Sequence, residues 1–211
     1  MRVADVMTRD VITAPPHATV GAATELLARH RVRHLPVVAD GALVGIVSDR
    51  DLRAVGSDHP GAPAGADRGT PLGDVARAPV WTAHPRDPVQ VAAATMRDQR
   101  VGALPVEAGG ALVGIVASSD LLTALVTMTG AGGAATRLEV DLPHRPGALA
   151  EALRIVADAG VNVRSILTPH SDAASARFAL QLDTIDARTV RARLRRAGFA
   201  VAEPGDGDGG A

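Results

Sequence analysis

The chain repeats itself. Positions 4–52 align without a gap on positions 73–121, 69 residues further on, and about 23 of the 49 aligned positions are identical. Chance does not produce that over a fixed period. Arg31-Val32-Arg33-His34-Leu35-Pro36-Val37 corresponds to Arg100-Val101-Gly102-Ala103-Leu104-Pro105-Val106. Each is followed by the run Gly-Ala-Leu-Val-Gly-Ile-Val, at 41–47 and 110–116. A duplicated unit of this size predicts two halves packed face to face, and clefts at such pseudo-symmetric interfaces hold ligands.

Each repeat reads as a short strand, a helix, two strands and a helix. In the first, Val11-Ile12-Thr13 is the brief strand, and Thr19 caps a helix with Val20, Ala23, Leu26 and Leu27 on one face. Leu35–Val38 and Leu43–Val47 form a hairpin across Ala39-Asp40-Gly41-Ala42. Ser48 opens a helix that runs to about Val55. The second copy predicts a strand at Val80–Thr82, a helix over about 88–99, strands at 104–107 and 111–116, and a helix from about 118 to 128.

Residues 136–202 keep a different rhythm. Leu138, Val140 and Leu142 alternate with polar residues as in a half-buried strand. Pro146 suits a first helical position, and Leu149, Ala152, Leu153 and Val156 form a helical stripe that Gly160 ends. Strands over Val161–Leu167 and Ala176–Leu182, a helix over about 186–197 and a last strand at Phe199-Ala200-Val201 follow. The order βαββαβ implies a ferredoxin-like unit, a four-stranded antiparallel sheet with two helices on one face. At this size its core is marginal, so a sheet edge or face is expected to pair with another copy. The expected organisation is therefore repeat 1 at 1–56, a linker at 57–70, repeat 2 at 71–128, a second linker at 129–135, the third module at 136–203 and a disordered Gly/Asp-rich tail at 204–211. The class is α/β (α+β).

Composition removes several functions. The chain has 211 residues, 46% of them hydrophobic, with no Tyr, two Phe and one Trp. Such a poverty of aromatics argues against stacking surfaces for single-stranded nucleic acid. A net charge of −1 supplies no field to hold DNA or RNA. Arg188, Arg191, Arg193, Arg195 and Arg196 cluster on one predicted helix and read as a solvated helix face. With no Cys, thiol catalysis and disulfides are out and a reducing compartment fits. No apolar run approaches a membrane span and the first residues lack a signal-peptide apolar region, so a cytoplasmic location is expected. No P-loop Lys, nucleophile elbow or metal-spaced His/Cys cluster occurs. Neither catalytic residues nor a metal are expected. Of seven His, all but His34 read as exposed or loop residues. Trp81, which replaces Ile12 of the first copy, reads as filling an interface or core gap, with stacking on a ligand base as the alternative.

The chemistry concentrates at Gly45-Ile46-Val47-Ser48-Asp49-Arg50-Asp51, where a strand ends and a helix begins. Helix N-termini suit phosphates. A first-turn carboxylate such as Asp51 can accept both hydroxyls of a ribose diol, and Arg33 and His34 in the neighbouring strand can meet phosphate charge. Ser-x-x-Asp is equally a capping box, which needs no ligand. In the second copy Ser48 becomes Ala117, Arg50 becomes Ser119 and Arg33-His34 becomes Gly102-Ala103, while Asp120 stays. Capping alone gives no reason for Arg33 and His34 to change with Ser48, so the pattern suits one polar site in the first half and a degenerate one in the second.

The doubled Leu-Pro-Val followed by Gly-Ile-Val-Ser-x-x-Asp resembles a tandem pair of CBS domains (a Bateman module) over about residues 1–128. The resemblance implies an adenine nucleotide (AMP, ADP or ATP) or S-adenosylmethionine in the central cleft. It gives Asp51 and Ser48 the ribose and gives Arg33, His34 and Arg50 the phosphates. Adenine would lie along Val11–Thr13 and Val80–Thr82, with Thr13 and Thr82 as contacts. Asp120 alone could hold an adenosine without phosphate. Residues 135–202, with Val140-Asp141-Leu142-Pro143-His144-Arg145-Pro146-Gly147-Ala148-Leu149 and Gly160-Val161-Asn162-Val163, resemble an ACT domain. That resemblance implies dimerisation, and an amino-acid site at the interface between copies, built from Arg145, Pro146, Gly147 and Asn162. The whole architecture is similar to that of acetoin-utilisation (AcuB-type) regulatory proteins. The implied function is a non-catalytic sensor acting as a homodimer, without nucleic acid or membrane. The alternative is an oligomerisation module with an empty cleft.

Overall fold

The computed structural model describes residues 1–57, 65–130, 135–171 and 175–202, so the expected tail at 204–211 lies outside the described residues. The chain divides into two compact units, Met1–Ala124 and Leu125–Ala211.

In the first unit the expected repeat is built twice. Repeat 1 carries α1 (Val20–His30), β1 (His34–Ala39), β2 (Ala42–Ser48) and α2 (Asp49–Ala54). Repeat 2 carries the short α3 (Leu72–Val75), then α4 (Val89–Gln99), β3 (Ala103–Ala108), β4 (Ala111–Ala117) and α5 (Ser118–Thr129), whose residues from Leu125 on are counted with the second unit. Thr19 caps α1, its hydroxyl accepting from Ala22 N at 3.2 Å. The two hairpins share one register, His34 opposite Ser48 and Ala103 opposite Ala117, with a bulge after Val37 and after Val106. Their turns are alike as well: Asp40-Gly41 and Gly109-Gly110 all have positive φ, the twist that a tight hairpin requires.

The short strands expected at Val11–Thr13 and Val80–Thr82 do not form. Contact falls one residue later, at single parallel bridges Ala14 to Val37 and Ala83 to Val106. Ala14 N donates to Pro36 O, and Ala14 O accepts from Val38 N. A ladder would next use the N–H two residues on. Those residues are Pro16 and Pro85, which have none, so pairing stops at one residue.

The sequence gives no sign that the repeats exchange their leading segments. A 3-10 turn at Val3–Asp5 precedes repeat 1, yet Val3 and Met7 are buried with Ala92, Met96, Leu104, Val106 and Val116 of repeat 2. Reciprocally Leu72, which opens repeat 2, is buried with Val20, Leu27, Leu35, Val37 and Val47 of repeat 1. Backbone pairs fix each crossing: Thr8 with Ile115, both bonds 2.9 Å, and Arg77 with Ile46 at 3.0 and 3.2 Å. The crossing requires glycine on the receiving strand. A Cβ on Gly45 would lie 2.8 Å from Ala76 Cβ, and one on Gly114 would lie 2.7 Å from Met7 Sδ and 3.0 Å from Thr8 O. The end of the expected linker is also used, since Thr70 O and Arg68 O accept from Val20 N and Gly21 N and satisfy the first turn of α1.

The second unit contains β5 (Thr136–Pro143), α6 (Ala148–Asp158), β6 (Val163–Ser171), β7 (Ser175–Leu182), α7 (Arg188–Arg196) and β8 (Ala200–Val201). The strands form one antiparallel sheet in the order β6-β7-β5-β8, the expected ferredoxin-like topology. Leu138, Val140, Leu142, Leu180 and Leu182 pack against Ala152, Val156, Val190 and Leu194 of the helices. Pro146 is not the first helical residue. Gly147, at φ 85°, is the N-cap and α6 starts at Ala148, because a left-handed residue cannot lie inside the helix. The arginines of α7 turn back on their own unit: Arg193 donates to Asp158 O, Arg195 to Val201 O, and Arg188 pairs with Asp186.

Candidate functional site

The site is built at the junction of β2 and α2. Ser48 ends the strand and caps the helix: its hydroxyl accepts from Asp51 N at 3.2 Å. Asp51 answers through Oδ2, which accepts from Ser48 N at 2.9 Å and Ser48 Oγ at 2.6 Å. The capping box is therefore formed. Asp51 does more than cap. Its Oδ1 accepts from Arg77 Nε at 3.1 Å and Nη2 at 2.5 Å, and its side chain is only 17% exposed. Burial pushes the Asp51 carboxyl up, but the Ser48 hydrogen bonds and the Arg77 guanidinium outweigh it, and the net shift is downward.

Arg77 enters from repeat 2 on the crossing segment, so the junction carries side chains of both halves. His34 stands opposite Ser48 in the hairpin and lies against the partner repeat: a Cβ on Gly102 would be 2.9 Å from His34 Nε2. Burial lowers the His34 pKa; the Asp51 charge opposes this and Arg33 adds to it. Arg33 and Arg50 are exposed, and Arg33 O accepts from Asp49 N at 2.9 Å.

Repeat 2 copies the backbone of the junction without its donors. Ala117 N donates to Asp120 Oδ2 at 2.8 Å, and Gly102 O accepts from Ser118 N at 3.0 Å. Ala117 has no hydroxyl, and Thr8 holds the position that Arg77 holds in the other copy.

Ser48, Asp51 and His34 thus come together; Arg33 is near enough to act on His34, and Arg50 is exposed next to Asp51 in the chain. Thr13 is exposed beside the Ala14 bridge. Thr82 is elsewhere. With Trp81 and the α4 residues Gln90, Val91, Thr95 and Asp98 it lines a cavity of about 540 Å³ that neither Asp51 nor Asp120 lines. Trp81 is 51% exposed at that cavity and does not fill a core gap. Sequence reasoning missed Arg77. The signal available was the change from Thr8 to Arg77 two residues after the shared Asp-Val pair of the leaders, but its meaning depends on the crossing.

In the second unit Arg145 pairs with Glu151 at 2.7 Å, and Gly147 and Pro146 are exposed in the turn before α6. Asn162 lies at the other end of α6, its carbonyl accepting from Asp183 N. The 143–147 turn adjoins the opposite end of the sheet, where Pro143 faces Ser175. Eight residues of β5 separate the two ends by roughly 25 Å. One copy of the chain does not bring Asn162 to that turn, so the expected site would need the turn of one copy and Asn162 of another.

Comparison with known proteins matches residues 3–58 and 72–127 to the CBS domain and residues 132–204 to the TTHA0829-like ACT domain. The CBS domain-containing protein YhcV of Bacillus subtilis is 32% identical over 142 residues, 67% of this chain and 98% of that protein. The chain spans only 22% of an inosine-5'-monophosphate dehydrogenase from Thermoplasma acidophilum, at 33% identity over 119 residues. Among solved structures, an acetoin utilization protein (AcuB) from Vibrio cholerae is 34% identical with TM-score 0.51, covering 60% of this chain and 90% of its own. The CBS domain pair of protein MJ0100, in complex with 5'-methylthioadenosine and S-adenosyl-L-methionine, is 28% identical with TM-score 0.52, covering 59% and 95%. CBSX2 in complex with AMP is 27% identical with TM-score 0.51, covering 59% and 96%.

Proposed function

Because the chain belongs to the CBS domain family, as a tandem pair followed by an ACT domain, we propose that it is a non-catalytic regulatory protein that binds an adenine nucleotide between the repeats. The observation that carries the reading is the placement of Asp51 and Asp120 at the same strand–helix junction of both repeats. Similar CBS proteins have been crystallised with AMP, S-adenosylmethionine and methylthioadenosine, ligands that share a ribose for which a carboxylate is the natural acceptor. Ser48 and Asp51 take the ribose, and His34, Arg33 and Arg50 face the phosphates. Binding shifts the two halves only as far as it favours one arrangement over another, and the ACT domain carries that shift to a homodimer partner through an edge of its sheet. The expected location is the cytoplasm; among the described residues no helix is long and apolar enough to cross a membrane.

Calorimetry of the full chain with AMP, ADP, ATP and S-adenosylmethionine tests the reading. Binding is expected, and Asp51→Ala weakens it by about 1–3 kcal/mol by leaving the diol unpaired. No heat with any of the four at millimolar concentration sinks it. A second reading, an assembly module with no ligand, is favoured by one observation: Asp51 is already occupied by Ser48 and Arg77. On that reading the chain keeps one oligomeric size and one melting temperature with and without nucleotide.

A further inference from the structure

The two matching carboxylates meet different surroundings. A carboxylate offers about four acceptor directions. At Asp51 all are in use, two by Ser48 and two by Arg77. At Asp120 only Ala117 N donates among the described residues, since the hydroxyl of Ser48 and the guanidinium of Arg77 are replaced by Ala117 and Thr8. A ribose diol can therefore reach Asp120 directly, but reaches Asp51 only if Arg77 leaves.

We propose that Arg77 makes the Asp51 site select phosphorylated adenosine ligands over unphosphorylated ones, while the Asp120 site takes either. The proposal rests on the nucleotide reading above and adds the ligand class of each site. Adenosine arriving at Asp51 must separate an ion pair and offers the guanidinium no charge in return. A phosphate does offer one: a planar guanidinium binds phosphate oxygens in the same bidentate manner as a carboxylate. Arg77 can make that exchange without disturbing the fold. Its backbone is held by both bonds to Ile46, while its side chain, 66% exposed, pairs with the 17% exposed Asp51. Arg33 and Arg50, both exposed, are chain neighbours of His34 and Asp51, so further cations are available to a phosphate bound there.

Titration calorimetry with AMP and with adenosine, on full-length Asp120→Asn and on Asp120→Asn combined with Arg77→Thr, isolates the first site and gives it the residue that the other repeat carries. Asp120→Asn is expected to bind AMP at least about tenfold tighter than adenosine, the worth of one charge-assisted pair. Arg77→Thr is expected to weaken AMP, strengthen adenosine and bring the two within about threefold. Arg77→Lys, which keeps the charge and loses the fork, should fall between them. An AMP-to-adenosine ratio that Arg77→Thr leaves unchanged overturns the inference and spares the nucleotide reading. Wild type that binds neither compound overturns both. Unfolding of each variant by circular dichroism separates lost binding from lost structure.

Discussion

At the scale of single residues, Asp51 is where stability and binding meet. Its carboxyl is held below the usual carboxylate range because Ser48 and Arg77 favour the ionised form more than burial opposes it. A group whose folded pKa is depressed stabilises the fold fully above its unfolded value, near 3.9, and loses that contribution as pH falls through the lower folded value. Asp51→Asn is therefore expected to cost about 1 kcal/mol at neutral pH, the worth of a helix-capping contact. The exposed guanidinium of Arg77 adds little after solvent screening. The gap should close below about pH 4. Urea midpoints of the two proteins between pH 7 and 3 measure it, and a gap independent of pH would contradict the assignment. The Ser48–Asp51 pair was legible in the sequence because its partners are three residues apart and obey a local rule. Arg77 was not, because it reaches Asp51 across 26 positions and no periodicity reports a contact of that kind. Trp81 was legible only in part: its bulk pointed to an interface or a core gap, and its exposure removes only the core. Aromatic bulk usually marks a core, and here it borders an open cavity.

At the scale of elements, the sequence foretold helices and hairpins well and the connecting segments poorly. The hairpins announce themselves through apolar runs split by Asp40-Gly41 and Gly109-Gly110, and the helices through a 3.6-residue stripe. The segments at 11–14 and 80–83 carry the same β-branched residues as a strand but face Pro16 and Pro85, which cut the ladder to one bridge. Gly45 and Gly114 read as ordinary members of an apolar run, yet each lies beneath the leader of the other repeat. Gly45→Ala is expected to destabilise by about 1–3 kcal/mol, the range for overpacking a tight contact, because Ala76 Cβ cannot rotate out of the way. Gly114→Ala meets the flexible end of Met7 as well as Thr8 O, so its cost should be smaller. Thermal unfolding of both variants orders them, and equal melting temperatures for wild type and Gly45→Ala would refute the close approach.

At the scale of the whole molecule, the duplication is more than two units placed side by side. A two-stranded hairpin with two short helices has too little apolar surface to hold itself together, and each half completes its core with the leader of the other. Leu72 is fully buried among repeat 1 residues although it opens repeat 2. Val3, fully buried, serves repeat 2 in the same way. The arrangement also explains why the junction at Asp51 responds to both halves: the segment that buries Leu72 carries Arg77 to Asp51 five residues later. Leu72→Ala should therefore cost about 2–5 kcal/mol and act across the repeat boundary. Native-state hydrogen exchange of the full chain is the measurement. Protection in β1 and β2 of repeat 1 is expected to fall at least as far as protection in β3 and β4. A loss confined to residues 72–124 would mean that each repeat holds its own core, and Arg77 would then have no structural reason to follow the fate of the first half.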